Sequence, residues 1–155
     1  MEFMIKIKKT TRFILINLER EKGQYFHHGY LDTFDKFNED TNLRVWEIEH
    51  ILPQTLNNEW KKILSPDDMS QAEKIKNDSL HLLGNLTLTP YNKGLSNRSF
   101  KNKVVYTDGD NLVGLNLNLH LNNSINKGSG VWNQTSILDR NEILTEEFLE
   151  KFKIE

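Results

Sequence analysis

The chain has 155 residues, no cysteine, a formal net charge of −2 and a hydrophobic content of 37%. This length suits one domain with a modest core, and the lack of cysteine excludes disulfides and thiolate zinc sites. No apolar run reaches the roughly 18 residues that a membrane span needs, and the N-terminus lacks the apolar stretch of a signal peptide. We therefore expect a cytoplasmic protein with no membrane partner.

The N-terminal third predicts one helix, one loop and a first strand. A capping hydroxyl from Thr10 or Thr11 and a glycine stop at Gly23 bracket a helix-compatible segment. Residues 23–42 carry aromatic side chains among polar ones without a clear period, so we interpret them as a loop with aromatic anchors. Apolar and polar residues alternate over 45–51, which predicts a strand.

The middle of the chain predicts short helices on either side of a second strand. Residues 58–64 suggest one helix, and 65–76 suggest another, with serine as its cap and proline at its first position. Residues 86–89 predict a short strand that ends at a proline. A helical pattern follows over 91–106, and Gly94 favours a break within it.

The C-terminal part combines an alternating segment with a final helix. Valine and leucine alternate with polar residues or glycine over 113–121, and this period of two predicts a strand or hairpin arm. Residues 122–130 form a polar, glycine-containing stretch that we interpret as a linker. Thr145 is predicted to cap the last helix, over 146–153.

The charged residues are unevenly distributed although the net charge is small. No acidic residue occurs from Ser79 to Thr107. A basic face on a neutral body fits a site that contacts phosphates, and an ordinary solvated helix face is the alternative. The basic residues of this stretch that we interpret as candidate DNA contacts are Lys93, Arg98, Lys101 and Lys103.

Four polar residues have the chemistry that hydrolysis of a phosphodiester needs. Glu49 and Asn92 offer hard oxygen ligands that suit magnesium, and His50 offers a base that titrates near neutral pH. Asn85, at the start of the second strand, is the candidate for holding the His50 loop in place. A glutamate–histidine pair alone is common at strand ends, and an asparagine after glycine is usually a turn residue. The combination is what favours a metal-assisted nuclease.

Other conspicuous residues have simpler interpretations. His81 precedes an apolar pair, and we interpret it as a packed or surface histidine. Arg140 is expected to tie the last helices to the core rather than to grip DNA. The tryptophans lie among apolar residues and are expected in the core, with base stacking as the alternative. They are Trp46, Trp60 and Trp132.

Three motifs and a tail pattern occur in a fixed order. Glu-His-Ile-Leu-Pro-Gln spans 49–54, Leu-Gly-Asn-Leu-Thr-Leu spans 83–88, and the segment from Asn92 to Tyr106 follows. The tail contributes Trp132, Ile137, Arg140 and Leu144. Together they resemble the HNH-type (His-Me finger) nuclease domain of GmrSD-like restriction endonucleases, from about residue 13 to the C-terminus.

The resemblance implies an α+β fold in which a ββα-metal (His-Me finger) core, at about 45–106, is embedded in helices. The whole chain, 1–155, would be a single nuclease domain, with an N-terminal helix and C-terminal helices around that core. The family pattern also implies more helix over 111–121 than the local alternation does.

The resemblance also implies roles for the four site residues. His50 would be the general base, Glu49 the first metal ligand, and Asn92 the second. The family more broadly allows aspartate at the Glu49 position. Asn85 would be the middle asparagine that positions His50. The cofactor implied is one Mg²⁺ or Mn²⁺ ion per site.

The function implied is cleavage of DNA, often base-modified, in prokaryotic restriction and anti-phage defence. Full-length members usually carry an N-terminal nucleotide-hydrolysing domain, and this chain has no phosphate-binding glycine-rich loop. Such a domain or subunit is therefore an expected partner outside this chain. Two alternatives are a catalytically silent DNA- or partner-binding module of a larger restriction protein, and a compact nuclease toxin with an immunity partner.

Overall fold

A computed structural model describes residues 2–27 and 31–153, with side chains of the first helix described from Lys8 onward. The helices are α1 (Glu2–Lys22), α2 (Asn58–Leu64), α3 (Ala72–Ser79), α4 (Asn92–Leu95), α5 (Phe100–Val105), α6 (His120–Asn123) and α7 (Gln134–Lys151). The strands are β1 (Glu47–His50), β2 (Leu86–Thr89), β3 (Thr107–Asp108) and β4 (Asn111–Leu112). Helices and short antiparallel sheets in one chain confirm the predicted α+β class.

The sheet formed by β1 and β2 is central to the fold. The two strands run antiparallel, with Glu49 opposite Thr87 and His50 opposite Leu86. β2 is buried along its whole length, and α4 follows it after a short turn and packs on β1. Both predicted strands are confirmed, although β1 is shorter than the 45–51 expected.

Two clusters of buried apolar side chains hold these elements together. One contains Trp60, Phe100 and Trp132, and the last two rings stack with centroids 5.5 Å apart. The other contains Phe34 and Trp46, which meet edge to face at 5.1 Å. All three tryptophans are at most 3% exposed, which confirms their predicted place in the core.

Helix α7 packs closely against the 3-10 turn over Leu83–Asn85, which precedes β2. Gly84 permits this approach, since a Cβ there would lie 2.0 Å from the carbonyl oxygen of Ile137. The buried guanidinium of Arg140 donates to the carbonyl oxygens of Gly84 at 2.7 Å and of Leu86 and Leu121 at 2.8 Å. Burial lowers the pKa of Arg140 to about 9, so the side chain remains charged at neutral pH. Its predicted role in tying the last helices to the core is confirmed.

Helix boundaries differ from the prediction where a local cap was the only signal. The two threonines predicted to cap α1 lie inside it, while its end before Gly23 is as expected. Thr145 lies within α7, which is unbroken, so its prediction as a cap is wrong. The cap of α7 is Asn133, whose side chain accepts a hydrogen bond from the Ser136 backbone N–H at 3.0 Å.

In the middle segment α2 has the predicted bounds, but the helices that follow it begin or end at other residues than predicted. Asp68, not the serine at position 65, caps a 3-10 turn over 69–71 that leads into α3. Gly94 lies inside α4, and the predicted break comes after it. Ser96 has a left-handed φ of 39°, which ends α4, and Ser99 then caps α5.

The predicted strand over 113–121 is wrong. β4 stops at 112, and its backbone continues along the end of α5, where Gly114 N–H donates to Tyr106 O at 3.1 Å and Leu115 N–H donates to Lys103 O at 2.9 Å. The period of two nevertheless reports burial correctly, since each of the alternating apolar side chains is at most 7% exposed. They are Val113, Leu115, Leu117, Leu119 and Leu121.

The predicted linker over 122–130 contains more structure than expected. It includes the second half of α6 and a 3-10 turn over 127–129, and Ile125 is buried in the core. Within the described ranges, no helix combines the length and apolarity that crossing a membrane requires.

Candidate active site

A cleft of about 490 Å³ lies at the end of β1. Glu49 and His50 are the last two residues of that strand, and Asn92 is the first residue of α4. All three line the cleft, so the structure brings together the predicted base and both predicted metal ligands. The other lining residues are Pro53, Gln54, Thr55, Lys93, Ser96 and Asn97.

The carboxylate of Glu49 is buried in an ion pair. Its Oε1 lies 2.5 Å from Nζ of Lys103, and the two side chains are 3% and 0% exposed. Burial raises the pKa of Glu49 to about 7, and the attraction of the ammonium only partly opposes this. Oε2 accepts no hydrogen bond from the described residues and is not among their buried unpaired atoms.

The position of Lys103 corrects its interpretation as a DNA contact. Its ammonium is enclosed, donates to Glu49 and also donates to the carbonyl oxygen of His50 at 2.7 Å. Burial lowers the pKa of Lys103, while Glu49 opposes that change. A lysine held in this way cannot meet a phosphate at the surface, so Lys103 braces the end of β1 instead.

His50 has a partner that sequence reasoning missed. Its Nε2 lies 3.3 Å from Nδ1 of His81, and the rings meet edge to face with centroids 5.3 Å apart. Burial lowers the pKa of His50 to about 4, and the neighbouring charges of His81, Lys103 and Lys8 add to this, so the pKa lies below the near-neutral value that the sequence predicts. His81 is exposed, and no signal near it indicates the pairing, because the two histidines are 31 residues apart.

Asn85 is fully buried and holds the turn that follows His50. Its side-chain amide donates to Leu52 O at 3.0 Å, and its Oδ1 accepts from Leu52 N–H at 2.7 Å. Its backbone oxygen accepts from Ile51 N–H at 2.9 Å, and Trp132 Nε1 donates to its Oδ1 at 3.1 Å. Asn85 thus holds the two residues that follow His50 and lies away from the cleft surface.

The cleft offers oxygen donors of the kind that a hard divalent cation takes. Glu49 supplies one carboxylate and Asn92 a neutral amide oxygen, and waters and substrate phosphates usually complete such a site for Mg²⁺. Across the described residues, no cluster of three or more His, Cys, Asp or Glu side chains could hold a metal ion. A cation at this cleft would bind through few protein ligands, and Oε2 of Glu49 is a carboxylate oxygen that accepts no hydrogen bond from the described residues.

The three other predicted DNA contacts are exposed, and one of them lines the cleft. Lys93 is exposed and lines the cleft. Arg98 donates through Nε to Gly94 O at 2.7 Å, and its guanidinium lies 4.7 Å from the ring centroid of Tyr106. Lys101 is exposed and does not line the cleft. The acid-free stretch therefore contributes one exposed cation to the cleft.

A second groove, of about 580 Å³, adjoins the cleft and shares His50, Gln54 and Asn92 with it. Sequence reasoning missed the basic side chains that line it. These come from α1 and from the loop before β1. The signal available in the sequence was the spacing of four between Lys8 and Arg12, which places both on one face of a helix. They are Lys8, Lys9, Arg12 and Arg44.

Comparison with known proteins identifies one family. Residues 6–147 match the family model described as the C-terminal domain of GmrSD restriction endonucleases. No curated protein and no solved structure gives a significant match.

Proposed function

The chain belongs to the family of GmrSD restriction endonuclease C-terminal domains, and on that premise we propose that it is a metal-dependent DNA endonuclease of the HNH type. The observation that supports this most is the meeting of Glu49, His50 and Asn92 at one cleft. The order β1, β2 and α4 around that cleft is the order expected of a ββα-metal finger.

His50 is the proposed general base. If its Nε2–H donates to Nδ1 of His81, its own Nδ1 keeps a lone pair, and no described residue hydrogen-bonds to that atom. His50 then accepts a proton from a water molecule whose oxygen attacks the phosphorus of the scissile phosphodiester. The bond to the 3′ oxygen breaks, and that oxygen leaves with the electron pair. Asn85 acts through His50 as a positioning residue.

Glu49 and Asn92 are the proposed ligands of one Mg²⁺ or Mn²⁺ ion. When bound, the ion would supply Lewis-acid stabilisation of the charge on the phosphate and on the leaving oxygen. Lys103 donates a hydrogen bond to Oε1 of Glu49 from the interior of the protein. Oε2 is then the carboxylate oxygen proposed to bind the metal ion in the cleft. The substrate is proposed to be DNA, including modified DNA, in anti-phage restriction, with a nucleotide-hydrolysing domain or subunit as partner.

One observation favours a second candidate function. The ammonium of Lys103 already neutralises Glu49, and a carboxylate paired in this way attracts a divalent cation less strongly. A catalytically silent module that binds DNA or a partner protein would keep this ion pair and take no metal.

Incubation of supercoiled plasmid with the purified protein tests the proposal and separates the two candidates. We expect open-circular and linear products with Mg²⁺ or Mn²⁺ and none with EDTA. Calorimetric titration with Mn²⁺ should show heat of binding in the same preparation. If the protein binds DNA but gives neither cleavage products nor heat of metal binding, the endonuclease proposal is refuted in favour of the silent module.

A further inference from the structure

The groove beside the cleft differs from it in charge and in exposed apolar surface. Of the residues that line the groove, four are Lys or Arg and one, Glu47, is acidic. Lys8, Lys9 and Arg44 are exposed, and no carboxylate pairs with them in the part of the chain that the structure describes. Their positive charge is therefore available to a ligand.

Exposed apolar side chains lie among these cations. Leu43 is 60% exposed and Phe37 is 47% exposed, and both line the groove. The guanidinium of Arg44 lies 4.7 Å from the ring centroid of Phe37. Cations interleaved with an exposed ring and an aliphatic side chain are typical of surfaces that bind a nucleic acid strand, where phosphates meet the cations and bases meet the apolar groups.

The loop before β1, which carries Phe37, Leu43 and Arg44, is held in place by hydrogen bonds. Phe37 and Arg44 form an isolated antiparallel bridge, and Asn38 N–H donates to Leu43 O at 2.7 Å. Arg12 ties α1 to both ends of this loop, because it donates to the carbonyl oxygens of Phe34 and Trp46. Hydrogen bonds therefore hold the loop against α1, and both line the groove.

We propose that this groove binds the DNA strand next to the scissile phosphate, with phosphates on Lys8, Lys9 and Arg44 and an unstacked base against Phe37 and Leu43. The inference rests on the proposed function, because the strand is the one that the cleft would cut. Continuity supports it, since His50 lines both the groove and the cleft. A DNA strand that extends from the scissile phosphate at His50 would enter the groove directly.

The test is binding of a fluorescein-labelled single-stranded oligonucleotide, measured by fluorescence anisotropy in EDTA at several salt concentrations. The variant K8E/R44E should weaken binding about tenfold or more at 0.1 M salt and lower the slope of log affinity against log salt by roughly 1.4, or about 0.7 for each phosphate that is no longer neutralised. L43S should weaken binding without changing the slope, because it removes an apolar surface for a base and no charge.

K62E/K74E is the matched control, since it reverses two exposed charges that line neither the groove nor the cleft. An equal loss of affinity in both double variants, an unchanged slope in K8E/R44E, or no binding by the wild type would overturn the inference. Because binding is measured without metal, its outcome is independent of cleavage. A wild type that binds as described but never nicks plasmid would refute the endonuclease, and the groove would then be the DNA-binding surface of a module that does not cut.

Discussion

The ammonium of Lys103 lies 2.5 Å from Oε1 of Glu49, so the carboxylate predicted to hold a cation is anchored by a buried lysine from α5. The same ammonium donates to the carbonyl oxygen of His50. One side chain of α5 therefore contacts both residues at the end of β1.

Replacing Lys103 by methionine should destabilise the protein strongly. The change leaves the carboxyl group of Glu49 buried without its partner, and breaking a buried ion pair in this way typically costs about 3–5 kcal/mol. Urea unfolding of Lys103→Met measures this, and Lys101→Met, at an exposed position of the same helix, should change stability by less than about 0.5 kcal/mol. A destabilisation below about 1 kcal/mol in Lys103→Met would show that the ion pair does not form as described.

Replacing His81 by alanine should lower the cleavage rate while leaving substrate affinity nearly unchanged. His50 would no longer be held at its Nε2, and misorientation of a catalytic group costs about 10- to 100-fold in rate. Steady-state kinetics should show this decrease in kcat with little change in KM. His81→Asn, which can offer an acceptor oxygen, should recover part of the rate. Equal kcat in wild type and His81→Ala would show that His81 does not position His50.

Gly84 should not tolerate a methyl group. The added Cβ of Gly84→Ala would lie 2.0 Å from the carbonyl oxygen of Ile137, so α7 must shift, and overpacking of this kind costs about 1–3 kcal/mol. Thermal unfolding measures the effect. Gly128→Ala is the control, since its nearest neighbour would be 3.9 Å away. Equal melting temperatures for the two variants would contradict the close approach of α7.

The parts of the fold that sequence predicted correctly are those with local signals. The strands that became β1 and β2, the helix that became α2 and the glycine stop at Gly23 each follow from periodicity or turn chemistry over a few residues. The alternation over 113–121 was a true signal of burial, but alternation does not reveal whether a partner strand is present. There the backbone of Gly114 and Leu115 bonds to the end of α5 instead.

The parts of the site that sequence missed depend on residues distant in the chain. Lys103 meets Glu49 across 54 positions, and His81 meets His50 across 31. A basic residue in an acid-free stretch is indistinguishable, without the fold, from a surface phosphate contact. That Glu49, His50 and Asn92 lie at one cleft could be expected from their places in the sequence motifs, at the end of one strand and just after the next.

The proposed mechanism depends on His50 activating the water that cleaves DNA. It is tested most directly by single-turnover cleavage of a labelled duplex in Mg²⁺ by His50→Ala, with the exposed His27→Ala as control and circular dichroism to verify folding. His50→Ala should cut at least about 100-fold more slowly than the wild type, while His27→Ala should cut at the wild-type rate. Cleavage by folded His50→Ala at the wild-type rate would refute His50 as the general base.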